Sequence, residues 1–221
     1  MQPNERVIAR PTGSVIATNK LIRNTYTLLA MTLLFSAATA GVSMAYNLPH
    51  PGFLLTLVGY FGLLFLTYKL RNSAWGLAAI FALTGFMGLT LGPILNAYLS
   101  LPNGGQTVMM ALGGTGAIFL GLSGYALITR KDFSYLGSFV MVGMIVAFLA
   151  MIGAWLFSMP TLALVVSAMF VMVMSGFILF QTSQMVHGGE DNYILATVGL
   201  YVSIYNLFVS LLHLIGAFNS E

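Results

Sequence analysis

The chain has 221 residues, of which 58% are hydrophobic and only 6% charged, and its mean hydropathy is +0.92. Soluble domains carry about a quarter charged residues, so this composition excludes a soluble fold and predicts one all-α polytopic membrane domain. A net charge of +3 from eight basic and five acidic residues is too small for a nucleic-acid surface, and the absence of cysteine excludes disulfides, thiolate metal sites and cysteine nucleophiles.

Residues 1–24 are polar, with Arg6, Arg10, Lys20, Arg23, Pro3 and Pro11 and no apolar periodicity. They predict a flexible cytoplasmic tail rather than a secretory signal. Seven apolar runs follow, over residues 25–46, 52–68, 74–99, 108–128, 135–157, 161–186 and 193–218. Each is about the length that crosses a hydrocarbon core of roughly 30 Å as a helix, allowing for tilt. The alternation of a barrel strand is nowhere seen, so the backbone must satisfy itself as helix. Residues 25–218 therefore form a seven-helix transmembrane domain.

The connections are short and rich in helix breakers, as in Asn47-Leu48-Pro49-His50-Pro51 and Leu101-Pro102-Asn103-Gly104-Gly105, which makes sequential helices antiparallel neighbours. All eight basic residues fall in the tail or in the second and fourth connections, at Lys69, Arg71, Arg130 and Lys131. Positive charge marks the cytoplasmic side, so the N-terminus is cytoplasmic and the C-terminus, after seven crossings, is outside. Small residues recur at four-residue spacing, as in Ala37-Gly41-Ala45 and Gly113-Ala117-Gly121. Such spacing lets helix backbones approach and predicts a compact bundle. Pro93, inside the third run, removes a backbone donor and predicts a kink.

Polarity inside apolar sequence concentrates in the last two runs and the hinge between them. At about 100° per residue, Gly199, Ser203, Asn206, Ser210 and His213 share an arc of about 80° on the seventh helix. Two readings are open: hydrogen bonds that fix helix packing, and the wall of a polar cavity or cation path. Gln181, Thr182, Ser183 and Gln184 close the sixth run, at a depth where solvation by the headgroup zone is expected. A strict hairpin sets Gln181 opposite a residue near Thr197, about a turn from Ser203. The hinge between the two runs carries His187, Glu190 and Asp191 on the cytoplasmic side. No acidic residue lies within a run, and His50 and His213 lie toward the outer side whereas His187 lies toward the inner, so neither a carboxylate pair nor a three-ligand metal cluster presents itself. Catalytic residues, cofactor and enzymatic activity are not expected.

Several strings carry a resemblance: Arg23-Asn24-Thr25-Tyr26, Phe65-Leu66-Thr67-Tyr68-Lys69, the third-run string from Phe86 to Asn96, Arg130-Lys131-Asp132-Phe133-Ser134-Tyr135-Leu136, and Leu200-Tyr201-Val202-Ser203-Ile204-Tyr205-Asn206-Leu207-Phe208. Over about residues 24–216 the chain resembles the Bax inhibitor-1 family, in particular its bacterial YccA-like branch. The resemblance implies a bundle whose last helix is surrounded by the other six. Calcium-leak members of the family carry an Asp in the sixth helix and another in the seventh, a proton-sensitive pair. The matching positions here are Gln181 and Ser203, neither of which titrates near neutral pH. The YccA-like branch implies association in the bacterial inner membrane with the ATP-dependent protease FtsH, as a modulator of its proteolysis. A leak for calcium or another cation is the alternative expectation.

Overall fold

The computed structural model describes residues 12–219, and among them every regular element is a helix. In chain order these are α1 (Thr12–Ala45), α2 (Phe53–Leu70), α3 (Trp75–Leu99), α4 (Gly104–Thr129), α5 (Leu136–Leu156), α6 (Pro160–His187) and α7 (Tyr193–Asn219). All seven are long and apolar enough to cross a membrane.

The helix begins earlier than the sequence suggests. Residues 12–24, expected as tail, are the opening turns of α1, while residues 1–11 lie outside the described residues. Leu21 and Ile22 pack against the bundle core, whereas Lys20 and Arg23 stay exposed. An amphipathic segment this short is outweighed by its charges in a search for long apolar runs, yet two partly buried side chains suffice to extend an existing helix, because propagation costs far less than nucleation.

Small residues also act elsewhere than expected. Ala37, Gly41 and Ala45 on α1 and Gly113, Ala117 and Gly121 on α4 are exposed, and a Cβ added at Gly41, Gly113 or Gly121 would meet nothing within 4 Å. These stripes face outward and do not hold the bundle together. The close approach runs instead between α1 and α3, through Gly85, Gly88 and Gly92. A Cβ at Gly88 would overlap Thr39 and the Ser36 carbonyl, one at Gly92 would overlap Ser43, and one at Gly85 would lie 2.7 Å from the Phe35 ring. Spacing identifies a stripe but not which of several stripes finds a partner.

Pro93 belongs to the same contact. Lacking an amide hydrogen, it leaves the Leu89 carbonyl without its helical donor. Ser43 Oγ donates to that carbonyl from α1 at 2.8 Å, and α3 continues through Pro93 as one helix. Ser43→Ala is expected to cost about 1–2 kcal/mol and distinctly less in a Pro93→Ala background, where the helix supplies its own donor. Thermal unfolding of the four proteins in detergent checks this as a double-mutant cycle, with an expected coupling of about 0.5–1.5 kcal/mol.

The last helix is central: 61% of its apolar 18-residue window is buried, against 6% for α2. Helices α1, α3, α4 and α6 pack directly on α7, while α2 and α5 face it across a cavity.

Candidate functional site: the polar face of the central helix

The stripe on α7 divides at its midpoint. In the cytoplasmic half, Ser203 is fully buried and donates to the Gly199 carbonyl one turn back, at 2.8 Å. Gln181 lies against that same turn: a Cβ at Gly199 would sit 3.3 Å from the Gln181 amide. The structure therefore brings Gln181 and Ser203 to within a helical turn of each other without a hydrogen bond between them. Gln181 is 7% exposed, and Thr182 and Ser183 are fully buried, so these residues are enclosed by protein rather than solvated at the headgroups. Thr197, also fully buried, donates to the Tyr193 carbonyl at 2.7 Å and lies 3.2 Å from the Thr25 carbonyl. Ser203 and Thr197 are buried with local partners, which offsets the cost of desolvating them. Two of their neighbours, the Thr25 and Thr182 hydroxyls, are buried without a partner.

Tyr201 closes this half. It is 1% exposed, its hydroxyl is 2.6 Å from Ser36 Oγ, and it donates to the Thr84 carbonyl at 3.3 Å. One buried phenol thus ties α7 to α1 and α3. Sequence reasoning passes over it, because a tyrosine within an apolar run looks like packing. The signal was Ser36, a hydroxyl on an otherwise apolar stretch, whose partner only the tertiary fold reveals.

The outer half is open. A cavity of about 480 Å³ lies between α2, α3, α5, α6 and α7 and reaches Val202, Tyr205 and Asn206. A second, of about 460 Å³, shares Phe53, Met151, Phe170 and Asn206 with it and is lined by Ser210 and His213. Asn206, which lines both cavities, donates from Nδ2 to the Val202 carbonyl at 2.8 Å. His213 Nδ1 lies 2.8 Å from Ser167 Oγ of α6, the one interhelical hydrogen bond that the predicted stripe makes. The stripe's remaining bonds are local to α7, from Ser203 to Gly199 and from Asn206 to Val202, and its outer half borders the cavities. No carboxylate, lysine or arginine lines either cavity, and neither is lined by any residue of α7 on the cytoplasmic side of Val202.

The cytoplasmic hinge is a structural joint. Gly188 adopts φ 81° at the end of α6, a backbone conformation that suits glycine. Glu190 Oε1 accepts the amides of Asp191 at 3.1 Å and Asn192 at 2.9 Å. Asn192 Oδ1 then caps α7 by accepting the amides of Ile194 at 3.0 Å and Leu195 at 3.2 Å, and its Nδ2 reaches across to the Arg71 carbonyl at 3.1 Å and Asn72 Oδ1 at 2.8 Å. His187 Nδ1 donates to the Ser183 carbonyl at 2.9 Å, and Ser183 Oγ accepts the Phe133 amide at 2.9 Å, fastening the α4–α5 connection to α6. Hydrogen bonds from Ser134 hold the Asp132 carboxyl below the usual range, with His187 adding a smaller effect of the same sign. A depressed carboxylate stabilises the fold above its unfolded pKa, and that contribution is lost as pH falls through the folded one.

Over residues 18–220 the chain matches the family described as Inhibitor of apoptosis-promoting Bax1. It is 53% identical over 203 residues, 92% of each chain, to the Escherichia coli K12 protein named Modulator of FtsH protease YccA. An E. coli O6:H1 relative of the same identity is named Inner membrane protein YccA. The chain is also 55% identical over 196 residues to an uncharacterised protein of Pseudomonas aeruginosa, covering 89% of this chain and 88% of that one. Kinship that runs through all seven spans places the chain in the bacterial inner membrane and makes it a member of the Bax inhibitor-1 family.

Proposed function

We propose that the protein is a non-enzymatic regulator that binds the FtsH membrane protease and modulates its proteolysis of other membrane proteins. The observation that carries this reading is the 53% identity to the E. coli modulator, extending over 92% of both chains. The structure is compatible with a regulator that works by contact. Its surface includes the exposed small-residue stripes of α1 and α4, which would let a neighbouring helix approach closely. The one hydroxyl–imidazole contact in the two cavities, Ser167 with His213, has no carboxylate beside it to complete a triad.

The cation-leak reading has less support. Gln181 and Ser203 supply no titrating carboxylate, and toward the cytoplasm from Val202 the polar face of α7 is packed, with Ser203 and Thr197 fully buried.

The test is a pull-down of the tagged chain from membranes in mild detergent at ordinary expression, together with turnover of other FtsH substrates on overexpression. FtsH is expected in the eluate, and substrate half-lives are expected to lengthen at least about twofold, as mass-action competition requires when bound regulator occupies half of the protease. Absence of FtsH together with unchanged half-lives would overturn the reading.

A further inference from the structure

The first cavity lies beside the outer half of α7, with α2 and α5 forming its far wall. Helices α2 and α5 flank it without close packing on each other, and aromatic side chains bridge them. Phe53 stacks on Trp155 with ring centroids 4.8 Å apart, and Phe61 meets Phe148 edge to face at 6.0 Å. Eight residues of α2 separate the two bridges, about 12 Å along the helix. Since α2 runs inward from the outer surface, the slot between them lies in the outer leaflet.

Three properties of the cavity restrict its occupant. Its walls are mostly Phe, Met and Leu, and at about 480 Å³ it falls within the roughly 300–1,000 Å³ of small-molecule sites. No charged side chain lines it, so a charged headgroup would be left unpaired at a depth where that is costly. Its polar groups are short of partners: among the described residues, nothing hydrogen-bonds the Tyr60 hydroxyl, the Asn206 side-chain oxygen or, in the adjoining cavity, the hydroxyl of Ser210, which is 94% buried. Enclosed polar atoms ordinarily find a partner. A bare hydrocarbon chain would leave them unmet, and a partner's helix, about 10–12 Å across, would have to part both aromatic bridges to enter.

We propose that this cavity binds a neutral lipid amphiphile, one with a compact uncharged hydrogen-bonding head of the quinone or alcohol kind. The head sits at Tyr60 and Asn206, and the apolar chain leaves through the slot between α2 and α5 into the outer leaflet. The Tyr60 hydroxyl donates to a head oxygen, and the Asn206 oxygen accepts from a hydroxyl where the head carries one. Methionines on the wall, Met87, Met144 and Met174, adapt to heads of different outline. This ligand site is separate from the protease reading and stands or falls without it.

Trp155 on the slot's rim is a built-in reporter, since the chain's other tryptophan, Trp75, is 71% exposed and replaceable. Decylubiquinone is titrated into the Trp75→Phe protein in phosphatidylcholine nanodiscs, and Trp155 fluorescence is followed. Saturable quenching is expected, displaced by dodecan-1-ol but not by dodecane, which has the chain and no head. Saturable quenching that neither dodecan-1-ol nor dodecane displaces also supports the site and narrows its ligand to quinones. Tyr60→Phe, which removes one oxygen and keeps the ring, is expected to weaken binding roughly fivefold, the equivalent of one hydrogen bond, and Asn206→Leu at least as much. If Asn206→Leu fails to fold, Tyr60→Phe alone decides. Quenching that never saturates, displacement by dodecane as effective as by dodecan-1-ol, or full affinity in Tyr60→Phe would each overturn the proposal.

Discussion

Gly88→Leu is expected to abolish the folded bundle, and Gly88→Ala to destabilise it by about 1–3 kcal/mol, the range for overpacking a close contact. The first atom of any side chain at this position would overlap the Ser36 carbonyl and the Thr39 hydroxyl of α1. The carbonyl belongs to a helix backbone, which cannot swing aside as a side chain tip can. Relief requires α1 and α3 to separate, and that would break the Ser43 bond to Leu89 and disturb the Ser36–Tyr201 contact. With four carbons instead of one, leucine asks for a separation whose cost is comparable to the whole stability of a domain, on the order of 5–15 kcal/mol. The control is Gly113→Leu, where a Cβ meets nothing within 4 Å; a surface change of that kind falls within about 0.5 kcal/mol. Fluorescence-detected size exclusion after a heating series reads both, with the Gly88→Leu peak lost before heating and the Gly113→Leu midpoint unmoved.

The contrast between these two glycines also shows what one sequence can tell. The seven spans are readable because hydropathy summed over some twenty residues is a large signal, and an orientation is predicted because all the basic residues outside the opening segment fall at Lys69, Arg71, Arg130 and Lys131. Gly88 and Gly113 look alike in one dimension: each is a glycine on a small-residue face of an apolar helix. One meets a backbone and the other meets nothing, a difference that arises only when helices choose neighbours. The opening of α1 is hidden for a related reason, since Leu21 and Ile22 gain from burial against a core that the local pattern does not contain.

The candidate site is legible to the same degree. Periodicity places Ser203, Asn206, Ser210 and His213 on one face of the last helix, and the structure keeps them there. What periodicity lacks is the surroundings of that face, which change along its length. Against Gln181 and Phe177 the face is closed at Gly199; from Asn206 outward α2 and α5 stand off and a cavity opens. The same stripe therefore serves as packing surface in one half and cavity wall in the other. A position that reads as an ion sensor by resemblance, Ser203, lies in the closed half, while the polar groups that remain accessible lie beyond it. Tyr60 completes that accessible set and comes from α2, outside the last two helices in which polarity concentrates.

Asn192→Ala should loosen the cytoplasmic end of the bundle at two places. Its side-chain oxygen caps α7 through the amides of Ile194 and Leu195, a role worth about 0.5–2 kcal/mol. Its amide nitrogen holds the α2–α3 connection at Arg71 and Asn72, with about 0.5–1.5 kcal/mol expected from each such bond. Summed with allowance for partial exposure, alanine is expected to cost about 2–3 kcal/mol. Asn192→Asp separates the two roles: the carboxylate keeps the cap and suits the positive end of α7, but it has no donor for Arg71 or Asn72. Its expected cost is about 1 kcal/mol. Hydrogen exchange locates the damage. In Asn192→Ala both the first turn of α7 and residues 70–74 should exchange faster, whereas in Asn192→Asp only residues 70–74 should. Faster exchange at α7 in both variants would mean that the cap depends on the cross-connection. The effect at residues 70–74 is expected because α2 is the least buried span and packs chiefly on α3, so a bond that ties its cytoplasmic end to the central helix restrains the helix least restrained by packing.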